Sequence, residues 1–190
     1  TLANGGLLYD GVTFGPQLPD LSIGRGPDGT WVLCQPTFGS PNKVQPTGDI
    51  ALLRINEWLA SAHFVANNGF IELYNPDSLP VSLVDLALTD NPVAEPRRSV
   101  IPPLSFIAAR GFTVFTADAD PAQGADHVNF KLSPDQGSIA LTDSAGGLID
   151  TIFYGPQRTD VAQGRTPSGA DSINDLLQPT PGAPNPALPS

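Results

Sequence analysis

The chain has 190 residues, of which 19 are Asp or Glu and 9 are Lys or Arg, giving a net charge of -10 at neutral pH. An acidic surface repels phosphate, so nucleic acid and anionic membranes are excluded as expected partners. Frequent Gly (19) and Pro (21) exclude long helices, and no apolar run reaches membrane-spanning length, so membrane insertion is not expected.

Residues 7–14 and 21–23 read as strand-like segments, with the turn signal Pro27-Asp28-Gly29 before Trp31. A Pro-rich phrase at residues 35–42 closes this part, and residues 43–49 read as a linker. Residues 50–55 read as a strand. Residues 55–62 are open between strand and short helix; Ile55, Leu59 and Ala62 on one side, with the Ala and Leu content, favour helix slightly. Phe70-Ile71-Glu72-Leu73-Tyr74 alternates, so Ile71 and Leu73 should face a core while Glu72 faces outward or lines an edge. Residues 111–116 are rich in β formers. Val128-Asn129-Phe130-Lys131-Leu132 and Ser138-Ile139-Ala140-Leu141-Thr142 alternate again, with Pro134-Asp135-Gln136-Gly137 between them and Ser144-Ala145-Gly146-Gly147 after them. Short strands and turns at this spacing predict an all-β antiparallel sandwich or barrel.

Part of the chain occurs twice. Gly5-Gly6-Leu7-Leu8-Tyr9-Asp10 leads to Gly15-Pro16-Gln17, Gly24-Arg25 and Pro36-Thr37 with Asn42. Gly146-Gly147-Leu148-Ile149-Asp150 leads likewise to Gly155-Pro156-Gln157, Gly164-Arg165 and Pro179-Thr180 with Asn185. A repeat this long marks an array of domains. The expected organisation is the C-terminal part of a preceding repeat at residues 1–42, a linker at 43–49, a complete domain at 50–185, and a linker or tail at 186–190. There is no Met, so the chain is expected to be a piece of a longer protein. The lone Cys34 forbids an internal disulfide; its alignment with Leu177 predicts a small buried apolar site rather than a reactive thiol.

The phrases resemble those of the bacterial lamin-tail domain. The residues that carry the likeness are Leu53-Arg54-Ile55-Asn56-Glu57-Trp58, Phe70-Ile71-Glu72-Leu73-Tyr74-Asn75-Pro76, Val84-Asp85-Leu86 with Leu88-Thr89-Asp90, and His127-Val128-Asn129-Phe130-Lys131-Leu132-Ser133. Asp150 with Tyr154-Gly155-Pro156-Gln157, then Gly164-Arg165 and Pro179 through Asn185, complete the series in order. The resemblance implies an immunoglobulin-like β-sandwich within large, exported, multidomain bacterial proteins, at an extracellular or cell-surface location. It implies no catalytic residues and no cofactor. Residues 1–42 resemble only the C-terminal part of such a domain.

Candidate chemistry is sparse. Glu57 and Glu72 could form a glycosidase pair, but strand carboxylates held by backbone N–H groups or by Arg54 are the commoner arrangement. Asp118, Asp120 and Asp126 suggest a calcium loop, yet Ala122 and Asn129 stand where ligands are needed. His63 and His127 are too few for zinc. No catalytic or metal residues are therefore assigned. Trp31, Trp58 and Tyr74 could form a carbohydrate platform, and Trp31 has no aromatic counterpart in the second copy.

The expected function is a non-catalytic structural, adhesion or assembly module, with protein partners that include copies of itself; a carbohydrate-binding module is the alternative. The candidate interaction residues are Leu8, Val12, Phe14 and Trp31. Orphan strands with apolar faces must pack against something. Residues 1–42 are expected to add strands to a sandwich edge or to complete a half-domain with a neighbouring chain; docking on their own complete domain is the other option.

Overall fold

A computed structural model describes the backbone of residues 2–4 and 7–187 and the side chains of residues 10–187. The N-terminal part holds β1 (Leu2–Asn4), β2 (Leu7–Asp10), β3 (Ser22–Arg25), β4 (Trp31–Gln35) and β5 (Lys43–Val44). Then follow β6 (Arg54–Leu59), β7 (Gly69–Tyr74), β8 (Val81–Ser82), β9 (Ala87–Thr89), β10 (Ser99–Val100) and β11 (Phe106–Ile107). The chain continues through β12 (Phe112–Ala117), β13 (Gly137–Thr142), β14 (Leu148–Tyr154), β15 (Ala162–Arg165) and β16 (Ile173–Leu176). The fold is all-β, as expected, and every pairing between these strands is antiparallel.

Two sheets form the sandwich. One runs β12-β7-β6-β15-β16 and the other β10-β9-β13-β14. Trp58, Ile71 and Phe115 from the first meet Leu88, Ile139 and Ile152 from the second in one buried cluster. Leu59, Phe70, Ala162 and Leu176 form a smaller cluster on the opposite face of the five-stranded sheet. The two central strands, β6 and β7, are thus buried on both faces.

This double burial explains two departures from the sequence reading. The stretch left open between strand and helix is β6, and the expected strand at residues 50–55 begins with a 3-10 turn, Ile50–Leu52, capped by the Asp49 carboxylate. A bulge between Ile55 and Glu57 breaks the two-residue period, leaving a pattern that imitates a helix. Glu72 does not face solvent: it is 0% exposed, because the C-terminal tail covers that side of the sheet. Residues 128–132 form no regular strand. They carry an isolated bridge at Lys131 and follow another at His127, although Val128, Phe130 and Leu132 are buried and Asn129 and Lys131 exposed, as the alternation predicted.

The N-terminal part packs on its own sandwich. Gly15 N donates to Pro103 O at 3.0 Å, and Phe106 N donates to Pro16 O at 3.1 Å. Gln17 Nε2 reaches Leu104 O at 2.8 Å. A Cβ on Gly15 would collide with Ser105 Oγ, so this approach requires glycine. Strands β3, β4 and β5 form a separate sheet in that order, with β3 at its edge.

Candidate functional site

Glu57 and Glu72 occupy paired positions on β6 and β7, and both are fully buried. The Glu57 carboxylate accepts from Thr180 N at 2.9 Å and from Thr180 Oγ1 at 2.8 Å. Glu72 accepts from Asn56 Nδ2 at 2.8 Å and from Gly182 N at 2.6 Å. Arg54 is not their partner; its guanidinium turns back to the carbonyls of Ala51 and Leu53. Among the described residues neither carboxylate has an ion-pair partner.

Burial pushes both carboxyls up, Glu72 to about 7, where the nearby Glu57 charge adds to the effect. The Thr180 hydroxyl also lies 2.9 Å from Asn185 Oδ1. It has one proton and cannot donate to both acceptors. These groups pin the tail to the sheet and are sealed beneath it, so their geometry is that of a latch.

Arg165 forms the second anchor. Its Nε donates to Ile55 O at 2.9 Å, and its Nη1 donates to Ala170 O at 2.8 Å. Its Nη2 reaches Asp150 Oδ2 at 3.0 Å. Asp150 in turn accepts from Ile55 N at 2.8 Å and from Thr151 N at 2.9 Å. One buried ion pair therefore joins β14 and β15 to β6.

The N-terminal part reproduces several bonds of this anchor. Arg25 Nη2 reaches Asp10 Oδ1 at 3.0 Å, and Arg25 Nη1 donates to Gly29 O at 2.8 Å. Asp10 accepts from Gly11 N as Asp150 does from Thr151 N. Gln17 Nε2 donates to Gly15 O, and Gln157 Nε2 to Gly155 O. Asn42 Nδ2 donates to Arg25 O, and Asn185 Nδ2 to Arg165 O. Gly39 and Gly182 both have positive φ in matching turns closed by Ser40 N to Thr37 O and by Ala183 N to Thr180 O. Even the bulge returns: the β1–β2 register shifts between Leu2 and Ala3, and the β13–β14 register between Leu141 and Thr142.

Strand pairing also corrects one alignment. Ser22 pairs with Cys34, and Ala162 with Leu176, so the counterpart of Cys34 is Leu176 rather than Leu177. Cys34 and Leu176 are buried, whereas Leu177 is exposed.

Among the described residues the bonds to β6 and β7 lack a copy, as do those from Thr180 Oγ1 to Asn185 Oδ1 and from Asn185 N to Ser168 Oγ. Among the described residues, Arg25 Nε has no equivalent of Ile55 O, and Asp10 Oδ2 has no equivalent of Ile55 N. Thr37 and Gly39 have no carboxylates in place of Glu57 and Glu72. The Arg165–Asp150 side chains are 7% and 13% exposed, and those of Arg25–Asp10 are 47% and 53% exposed.

The candidate interaction residues gather near this open region. Val12 and Trp31 line a cleft of about 580 Å³ with Leu33, Val44, Pro103 and Phe106, at the seam between the N-terminal part and the sandwich. Arg25 lies over the Trp31 ring at 4.1 Å. Phe14 is 54% exposed, although its counterpart Tyr154 is buried beside Trp58, with ring centroids 6.0 Å apart. Leu8 lies on β2, and its side chain is outside the described residues. Trp58 is buried and Tyr74 stacks on Phe112 at 4.8 Å, so the aromatics do not line up as a row. The Asp10–Arg25 pair escaped the sequence reading; the aligned Asp150 and Arg165 were the available signal.

Asp118 is engaged internally. Desolvation opposes its charge, yet the Asp120 N–H and the His127 ring, 2.8 Å away, hold it below the usual range. Among the described residues no group of three or more His, Cys, Asp or Glu side chains is placed to hold a metal, and no helix is long and apolar enough to cross a membrane. Comparison with protein-family models, curated proteins and solved structures finds no significant match.

Proposed function

We propose that the chain is a non-catalytic structural and assembly module of a repeat-built protein of the lamin-tail type, acting outside the cell. The sandwich at residues 50–185 is its body. Residues 1–42 join it to protein partners, copies of the same chain among them. The observation that carries this reading is the duplicated hydrogen-bond set around Asp10 and Arg25, which stops where β6 and β7 would stand. A surface built to receive backbone and carboxylate groups suits a polypeptide better than a small molecule. The carbohydrate-binding alternative needs an exposed aromatic row, and the positions of Trp31, Trp58 and Tyr74 favour the structural reading instead.

Sedimentation of the purified chain over a range of concentrations tests this. Reversible self-association is expected. Deleting residues 1–42 should abolish it while the sandwich keeps its cooperative unfolding. A strictly monomeric chain, or association that survives the deletion, would overturn the assembly reading.

A further inference from the structure

Glu57 and Glu72 meet across the β6–β7 ladder, both fully buried, with no ion-pair partner among the described residues. The charged groups on the elements around them are engaged elsewhere. Arg165 on β15 is bound to Asp150 on β14. Asp171, in the turn before β16, is exposed and lies 3.9 Å from Arg165, while Asp175 on β16 is bound to Arg158. Arg54 turns to the Ala51 and Leu53 carbonyls, and β12 carries no charged side chain. Two like charges buried side by side oppose each other's ionisation, and burial opposes both. The segment that seals them has little else to hold it. Leu177, Gln178 and residues 181–184 are exposed. Thr180 is fastened to Glu57 and Gly182 to Glu72. At its two ends Leu176 and Asn185 are each 4% exposed. Asn185 is fixed by neutral groups: its N–H donates to Ser168 Oγ at 2.8 Å, and its Nδ2 donates to the carbonyls of Asn56 and Arg165. The segment thus has two fixed ends and a middle fastened to the sheet through ionisable side chains.

We propose that residues 177–184 are a proton-operated flap, which closes over the sheet when the Glu57–Glu72 pair takes up a proton and opens locally, with the sandwich still folded, when the pair is fully ionised. The flap turns about Leu176 and Asn185. Opening lets water reach both carboxylates and uncovers Glu57, Glu72 and Asn56 on the face of the five-stranded sheet. The closed state holds a proton that the open state releases, so closure is strongest below the ordinary carboxylate range and weakens as pH rises. Burial holds the Glu72 carboxyl up at about 7, which places the change close to neutral pH. An exposed segment with few apolar contacts is the kind that opens apart from the rest of a fold. The flap needs no second chain, so this inference stands independently of the assembly reading.

The test is amide hydrogen exchange of the full chain, resolved by residue with NMR and corrected for the direct effect of pH on the chemical exchange rate. Protection of the Thr180 and Gly182 N–H groups should fall at least tenfold between pH 5 and pH 8. At pH 8 it should lie at least tenfold below that of Asn185 and of the amides of β6 and β7. Low concentrations of urea should leave the Thr180 and Gly182 values nearly unchanged, because opening the flap exposes little surface, while the β6 and β7 values decline. That comparison needs no variant. In a chain carrying both Glu57→Gln and Glu72→Gln, the pH dependence at Thr180 and Gly182 should vanish. Protection that does not change with pH, protection at Thr180 and Gly182 equal to that of β6, or an equal response to urea would overturn the flap. Loss of protection at Asn185 as large as at Gly182 would overturn the hinge, and with it the flap.

Discussion

Arg165 and Arg25 make the same bonds to aspartate and to a turn carbonyl, yet they stand in different dielectric surroundings. Breaking a buried pair strands a charge and costs about 3–5 kcal/mol, whereas an exposed pair contributes about 0–1 kcal/mol. Arg165→Ala should therefore destabilise the sandwich by about 3–5 kcal/mol in urea unfolding, and Arg25→Ala should leave it unchanged within about 1 kcal/mol. Glu72 makes a second prediction. Its carboxyl is raised from 4.5 to about 7, so the native state holds a proton that the unfolded chain releases in that interval. Stability must then fall as pH rises from about 4.5 to 7, with the penalty complete above 7. A rise of this size corresponds to about 3–4 kcal/mol at roughly 1.4 kcal/mol per pH unit. Asp77 and Asp160 work in the opposite sense and lower down: backbone N–H groups stabilise the Asp77 charge and outweigh desolvation at Asp160, and that contribution is lost only as pH falls through their depressed values. Urea unfolding at pH 5 and pH 8 should find the chain more stable at pH 5, and Glu72→Gln should remove much of the difference. The sequence showed that Glu72 lies on the face opposite Ile71 and Leu73, which is correct. It could not show that residues 179–185 fold back over that face, because the covering segment lies more than a hundred residues away.

At the level of elements, legibility followed the side-chain pattern rather than the burial. Strands β7 and β13 are buried on both faces, yet Glu72 between Ile71 and Leu73, and Ala140 between Ile139 and Leu141, leave an alternation that was readable. Strand β6 is covered on both sides and interrupted by a bulge, so period-two reasoning had nothing to hold. Residues 128–132 show the converse: alternating burial arises without a ladder, because the core takes every second side chain while the backbone bonds elsewhere. The N-terminal copy was readable only by comparison with the second, and its open positions became visible only when β6 was placed. This hierarchy should appear in hydrogen exchange. Amides of β6 and β7, central and doubly buried, should exchange only by global unfolding, while those of β3 to β5 should exchange through local opening. Cys34 is buried on that small sheet, so its labelling by a thiol reagent should follow the faster opening. Protection of β3 equal to that of β6 would show that the small sheet is not a separate unit.

On the scale of the whole molecule, the sandwich is preceded by a second copy of part of its own C-terminal half. The sandwich has a continuous core, a latched tail and a buried ion pair. The copy repeats the local bonds of that half but borrows its support through Gly15, Pro16 and Gln17. Strands without their sheet partners contribute little stability of their own. The most direct measurement is equilibrium urea unfolding of the Trp31→Phe chain, followed at once by Trp58 fluorescence, which reports the sandwich, and by pulse labelling of Cys34, which reports the copy. The Cys34 transition should come at clearly lower urea than the Trp58 transition. Coincident transitions would mean that residues 1–42 are an integral part of one cooperative domain, and would contradict the division into a finished unit and an open one.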